Sequence, residues 1–311
     1  MIGPRFTSLQ SYVSRLDDVD FWWPYLVEIL SRHNLADAGG QPVAGHNATW
    51  PTFLCGEVVV KLFGSASSWR ASHDRERAAQ ALIATDPEIT APRLLGEGQL
   101  SDDAGDPWPY LITSLMPGVA SWRADLSGDQ RRALAAELGR EVHRIHALSP
   151  SGIVTDADWP ALDVAAAAAR SSLPQHLVAQ IDDYLVRLGP SDRVFVHGDV
   201  VANHVYVENG RFAGIIDWGD AMVADRHYEL IQIFRDLFEC DGAQFRIFLE
   251  ACAWPVDEDF PRKVLGLALY RQATMLVQHP AGGDVFEPIA ERVPLDDIAS
   301  LDDLAIELFA M

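Results

Sequence analysis

Apolar and polar positions follow two different rhythms along this chain, one before and one after residue 117. Over residues 21–35 apolar side chains recur at helical spacing, which predicts an amphipathic helix. A Gly-rich polar loop follows, then two short β-like runs, TFLCG (52–56) and EVVVKLF (57–63), read as strands. Residues 69–85 return to helical spacing and Pro87 closes them. APRLLGEGQL (91–100) and PYLITSL (109–115) are strand-like, separated by the turn-rich SDDAGDPWP. Beyond Pro117-Gly118, helices are predicted over 128–148, over 162–188 with a break near Pro174, and over 226–253. One hairpin interrupts them: VYV (205–207) and FAGIID (212–217) flank Glu208-Asn209-Gly210-Arg211, and Asn-Gly between apolar runs is a strong hairpin signal. The predicted class is therefore α+β, with a mostly β region over 1–113 ahead of a mostly helical one.

Composition adds exclusions. With 49% hydrophobic and 22% charged residues in 311, the chain has the balance of a globular protein long enough to bury a core without staples. Acidic side chains number 45 against 24 basic, a formal charge of -21. That excess argues against nucleic acid or an anionic membrane as partner, both of which need a basic face, and favours a cationic one. Cys55, Cys240 and Cys252 form no CxxC, which speaks against a disulfide framework or a zinc site. The first twenty residues lack the apolar run of a signal peptide, and no stretch approaches the roughly 18 apolar residues of a membrane span. The expected location is the cytoplasm; monomer and dimer are both open.

The densest chemistry lies in VFVHGDVVANHVYVENGRFAGIIDWGD (194–220), which sets Asp199 just before the hairpin and Asp217 at its far end. Counting outward from Asn209-Gly210 pairs Val207 with Phe212, Val205 with Gly214 and His204 with Ile215. Strand alternation then puts Asp217 on the His204 face and near the Asp199 loop. Two converging carboxylates suit a hard cation and a substrate hydroxyl, although either Asp alone would equally cap a turn. Upstream, Lys61 interrupts the apolar run VVVKLF, and a charge inside such a strand needs a partner. Glu76 in the following helix is the nearest candidate, and a Lys–Glu pair beside a phosphate cleft is how phosphoryl-transfer enzymes hold ATP phosphates. A Lys extending to solvent from an edge strand is the plain alternative. Lys61 and Lys263 are the only lysines, which weights Lys61 towards function.

In this order, VVVKLF, the Glu76 helix, PYLITSLMPG, HGDVVANH and IIDWGD resemble the aminoglycoside phosphotransferase family, whose members are kinase-like. DFWWPYLVEIL, ELGREVHRIH and YELIQIFRDLFECDGAQFRIFLEACAW are similar to its hygromycin B phosphotransferase branch. The resemblance covers nearly the whole chain. The motifs are specific as a set; HGD alone is not.

The resemblance implies a bilobal protein-kinase-like fold, with a nucleotide-binding lobe over 1–113, a hinge over 114–118, and a helical lobe over 119–311 that carries the catalytic hairpin and substrate site. It implies Asp199 as the catalytic aspartate that orients or deprotonates the attacking hydroxyl. Asp217 matches the Mg²⁺-binding aspartate, Lys61 the phosphate-binding lysine with Glu76 as its ion-pair partner, and Ser114, Leu115 and Met116 the hinge that holds adenine. His197 matches a structural position. The loop AGHNATWPT (44–52) lies where a nucleotide-covering loop belongs but lacks a Gly-x-Gly-x-x-Gly; Asn47 and Thr49 are polar candidates there. The implied cofactors are ATP, with GTP an open substitute, and Mg²⁺.

One position departs from the family pattern, which is HGD, four residues, then a metal-binding Asn. Here His204 stands at the Asn position and Asn203 one residue early. Mg²⁺ prefers oxygen, so His is a poor replacement. Either a bulge rotates Asn203 into place, or His204 meets a phosphate or a Mn²⁺-like metal, or the second metal is lost.

For the substrate, Asp225, Glu229, Asp236, Glu239 and Asp241 are candidates to hold ammonium groups, against the plain reading of a solvated helix flank. Asp225 also matches a loop-fixing Asp. Trp122 and Trp254 are candidates for a sugar site or for core. The leading expectation is O-phosphorylation of an aminoglycoside, hygromycin B first, giving resistance. The alternatives are a kinase of a hydroxylated metabolite and a non-catalytic kinase-like binding protein. Residues 1–113 carry 14 acidic and 8 basic side chains and residues 114–311 carry 31 and 16, so the excess is heavier where such enzymes hold the acceptor.

Overall fold

The computed structural model describes residues 3–35, 41–46, 49–66, 68–101, 107–156, 158–278 and 283–310. The chain divides into two compact units, one of residues 1–117 with 216–220, the other of 118–215 with 221–311.

The first unit opens with α1 (Leu9–Val13) and α2 (Val19–Arg32), the second started by Asp18, whose carboxylate accepts from the Phe21 amide at 3.0 Å. Its antiparallel sheet comprises β1 (Val43–Ala44), β2 (Thr52–Cys55), β3 (Val58–Leu62), β4 (Leu94–Gln99) and β5 (Pro109–Ser114), in the order β1-β2-β3-β5-β4, with α3 (Trp69–Ile83) between β3 and β4. Four strands fall where the apolar runs predicted them; β1 was not foreseen. The period of two decides the faces of β3. Val58, Val60 and Leu62 enter a core with Trp22, Leu26, Ile29, Phe53 and Trp108, so Lys61 points to the opposite face. Trp108 closes that core and donates Nε1–H to the Pro4 carbonyl at 3.0 Å.

The second unit begins with β6 (Val119–Ala120) and the 20-residue α4 (Gly128–Ala147), started by a reciprocal Ser127–Gln130 capping box. The helix predicted over 162–188 is three short ones: α5 (Val164–Ala168), α6 (Gln175–Val178) and α7 (Ile181–Val186). Pro174 cannot continue a helix and instead stands as the cap of α6. Next come β7 (Arg193–Val196), β8 (Val205–Glu208), β9 (Arg211–Ile215) and β10 (Met222–Asp225). β7 pairs with β10 and the hairpin β8–β9 is joined by β6. Both hairpin turn residues have positive φ, Asn209 at 52° and Gly210 at 76°, as a two-residue turn of the expected type demands.

The helix predicted over 226–253 is also interrupted. A 3₁₀ turn over Arg226–Glu229 leads into one turn of α8 (Leu230–Gln232) and a π turn over Ile233–Leu237, and then Glu239 and Cys240 adopt positive φ (50° and 61°). Asp241 starts α9 (Gly242–Ala251), which packs on α4. Contact is close at Gly139, where an added Cβ would lie 2.4 Å from the Phe248 carbonyl oxygen. The chain ends with α10 (Phe260–Gln278), α11 (Glu287–Ala290) and α12 (Leu301–Phe309); α10 packs against α5 and α12.

Candidate active site

Each unit holds one polar cluster built around residues that the sequence singled out. In the first unit, Lys61 donates from Nζ to Glu76 Oε2 at 2.7 Å and to Asp217 Oδ1 at 2.9 Å. Glu76 arrives on α3, which packs along the 3₁₀ turn Trp218–Asp220, and Arg75 reaches Asp220 at 3.7 Å. Asp217 adopts φ 64°, a left-handed conformation that Asp tolerates better than most residues. Burial alone draws the Lys61 ammonium down, but Asp217 and then Glu76 outweigh it and hold the group above its ordinary range. Burial lifts the Glu76 carboxyl above its ordinary value, and Lys61 only partly opposes that. Asp217 keeps 42% of its side chain exposed, against 7% for Glu76.

In the second unit, β7 delivers HGD. His197 is fully buried and its Nδ1 accepts the Asp199 amide at 3.2 Å, which fits the structural role expected of it. Gly198 has φ 81°; its N–H donates to Glu229 Oε2 at 3.1 Å and its carbonyl accepts from Arg271 Nη1 at 2.8 Å. Asp199 Oδ1 accepts from Gln232 Nε2 at 2.6 Å and from Arg271 Nη2 at 2.8 Å. His204 Nδ1 lies 2.9 Å from the Asp199 carbonyl and 3.2 Å from Oδ2. A carbonyl only accepts, so Nδ1 carries the hydrogen in this arrangement. Burial raises the Asp199 carboxyl, but Arg271, His204 and Gln232 together bring it below its ordinary value. It is an ionised acceptor, 21% exposed.

The hairpin count needs a correction. A bulge between Tyr206 and Val207 pairs Val205 with Ile215 rather than Gly214, which removes the pairing of His204 with Ile215. The extra residue breaks the alternation that had put Asp217 on the His204 face. His204 Nδ1 turns to Asp199, and Asn203 sits exposed in the preceding turn. Among the described residues, no group of three His, Cys, Asp or Glu side chains is placed to hold a metal. The partly exposed Asp217 carboxylate and the Asn203 side-chain carbonyl are oxygen donors of the kind Mg²⁺ takes; His204, with its Nδ1–H turned to Asp199, keeps Nε2 as the ring's acceptor nitrogen.

Around Ser114, Leu115 and Met116, two amides are already used: Ser114 N–H donates to Arg93 O and Leu115 N–H to Glu57 O, both at 2.9 Å. Among the described residues the Met116 amide has no such partner. Asn47 lies outside the described residues, and Thr49 is exposed.

Two of the five substrate acids prove inward-facing. Asp225 is buried, accepts from Asp192 N–H at 3.1 Å and from His227 N–H at 3.0 Å, and meets His227 Nδ1 at 2.7 Å. Glu229 is 1% exposed and pairs with His146 at 2.8 Å. Neither is available to an ammonium group from solvent, because the turn over 226–229 faces the core rather than forming the expected helix flank. Asp236 is held by both arms of Arg235, at 2.8 and 2.6 Å, and Asp241 caps α9; Glu239 is exposed. Trp254 is core, edge-on to His146, while Trp122 is half exposed under Arg123. Sequence reading missed Arg271 and Gln232. The run LGLALYRQATMLV carries a clue of the kind that marked Lys61: a charge embedded among apolar positions.

Residues 46–251 match the APH model, described as the phosphotransferase enzyme family. The chain belongs to that family. Within it, the chain is 30% identical over 168 residues to an aminoglycoside 3'-phosphotransferase of Streptomyces fradiae, covering 48% of this chain and 59% of that one. It is 41% identical over 61 residues to a hygromycin-B 4-O-kinase of Escherichia coli, covering 19% and 18%. The chain thus spans less than two thirds of either curated relative. Among solved structures, the GDP complex of wild-type aminoglycoside 2'-phosphotransferase-IIIa aligns with TM-score 0.67 at 17% identity, over 92% of this chain and 99% of that one. An aminoglycoside phosphotransferase, APH(3'')-Id, from Streptomyces rimosus aligns with TM-score 0.56 at 21% identity, over 82% and 98%. The family resemblance read in the motifs holds, and the α+β fold is the one these phosphotransferases share.

Proposed function

We propose that this chain is an ATP-dependent O-phosphotransferase whose acceptor is a hydroxyl of an aminoglycoside. The observation that carries the reading is the state of Asp199: an ionised carboxylate braced at the HGD turn, in a chain whose family transfers phosphoryl groups. In this reading residues 1–113 bind the nucleotide, 114–118 form the hinge, and 119–311 hold the acceptor.

Lys61, kept cationic by Glu76 and Asp217, binds nucleotide phosphate, and the Met116 amide takes an adenine hydrogen bond. Asp217 would supply an oxygen to Mg²⁺, with Asn203, an oxygen donor, and His204 the two candidates for a further ligand; the ion would neutralise phosphate charge. Asp199 accepts the hydrogen bond of the substrate hydroxyl and aims its oxygen at the γ-phosphorus. The new O–P bond forms as the bond to the β–γ bridging oxygen breaks, ADP leaves, and the hydroxyl proton passes to Asp199 and on to solvent. Phosphate on a polycationic antibiotic lowers its charge and weakens its fit to anionic RNA.

A kinase of a hydroxylated metabolite is the second reading, favoured by the inward burial of Asp225 and Glu229, which thins the acidic set facing a cationic acceptor. A coupled ATP- or GTP-consumption assay over an aminoglycoside panel that includes hygromycin B, in Mg²⁺ and in Mn²⁺, separates the two. Acceptor-dependent turnover that is abolished by Asp199→Asn is expected. Turnover with simple sugars or amino alcohols and none with any aminoglycoside would favour the metabolite kinase.

A further inference from the structure

We propose that Arg271, on α10 and beyond the segment that matches the family, is a positioning residue that reserves one oxygen of Asp199 for the acceptor hydroxyl. The inference rests on the reading of Asp199 as the hydroxyl-orienting group.

A carboxylate oxygen has two in-plane acceptor sites. At Oδ1 both are taken, one by Gln232 Nε2 at 2.6 Å and one by Arg271 Nη2 at 2.8 Å. Among the described residues, Oδ2 has only the longer approach of His204 Nδ1, at 3.2 Å, whose shorter bond goes to the Asp199 carbonyl at 2.9 Å. The substrate O–H therefore donates to Oδ2, and rotation of the carboxylate that would exchange the two oxygens breaks two bonds at Oδ1.

Arg271 is suited to this because its fork grips two consecutive residues at once. Nη2 holds the Asp199 side chain while Nη1 holds the Gly198 carbonyl at 2.8 Å and the Tyr228 hydroxyl at 2.9 Å. The guanidinium also lies over the Tyr228 ring, 5.4 Å from its centroid, and Tyr228 meets Thr274 of α10 at 2.8 Å. The residue is 8% exposed, so its geometry is set by protein rather than by water. A lysine offers one compact charge without the fork and cannot serve both residues.

The test uses the full chain, ATP and whichever panel acceptor the wild type phosphorylates. Arg271→Lys and Arg271→Met are expected to lower kcat about a hundredfold, the scale of a small misplacement of the reacting group, with nucleotide and acceptor KM within about threefold. Added guanidinium chloride at non-denaturing concentration is expected to restore kcat of Arg271→Ala at least tenfold. Since loss of a buried charge endangers folding, Gln232→Leu is run beside them. It removes the other Oδ1 donor without stranding a charge, and a kcat loss of about tenfold at an unchanged thermal midpoint supports the assignment. Folded Arg271 variants with kcat within twofold of wild type would overturn the inference, as would a loss confined to KM. A wild type that turns over no acceptor overturns instead the reading on which it rests.

Discussion

Lys61 on β3 lies 2.7 Å from Glu76 and 2.9 Å from Asp217, so one ammonium group ties together a strand, a helix and a segment 156 positions downstream. All three side chains belong to one compact unit, and the two carboxylates differ in state: Glu76 is sealed and pushed towards its neutral form, while Asp217 remains partly exposed. Lys61 is therefore both a structural counter-ion and a candidate phosphate ligand.

Removing it strands charge in the interior. Lys61→Met is expected to lower the unfolding free energy by about 3 kcal/mol, the range for breaking a buried pair, and to raise the nucleotide KM. Glu76→Gln is expected to cost less, because burial already favours the uncharged acid. Urea titrations of the two variants against wild type check the order.

Asp199 predicts a pH signature. Its carboxyl sits below the ordinary 3.8 in the folded chain, so its stabilising contribution is complete above that value and is lost as pH falls through the folded-state value. The difference in unfolding free energy between wild type and Asp199→Asn should be constant from about pH 5 to 7 and shrink below about pH 4. For the same reason Asp199 adds no descending limb to kcat between about pH 5 and 8.

Asn203 and His204, the two candidates for the further metal ligand, are expected to separate by metal response. Asn203→Ala should raise the half-saturating Mg²⁺ concentration by about tenfold. His204→Ala should leave it within about threefold and lower kcat, since its ring holds Asp199. Activity measured across a Mg²⁺ titration after chelator treatment decides the matter; the reverse pattern would make His204 the ligand.

Gly139 tests packing away from any chemistry. Alanine gains about 1 kcal/mol in helix propensity, but its Cβ would stand 2.4 Å from a backbone oxygen of α9 that no side-chain rotation relieves. The clash should win, with Gly139→Ala less stable by about 2 kcal/mol and kcat unchanged at temperatures where it is folded. Thermal denaturation and turnover on the same sample measure both.

By itself the sequence determined the elements whose signals are local. The expense of a charge in the apolar strand VVVKLF was enough to single out Lys61 and to name Glu76 as its partner. Asn209-Gly210 determined the hairpin turn, and the order of motifs determined the family. Register was not local. One extra residue on the β9 side undid the count that paired His204 with Ile215, because a bulge changes parity without leaving a mark in hydrophobicity. The acids of 225–241 read as ammonium-binding candidates or a solvated flank, with Asp225 also a loop-fixing Asp; Asp225 and Glu229 turn inward to hold backbone amides. Only the tertiary structure brought Arg271 to Asp199 from 72 positions away. The apolar run says that α10 is buried, but the partner of a buried charge depends on which loop the fold lays against it.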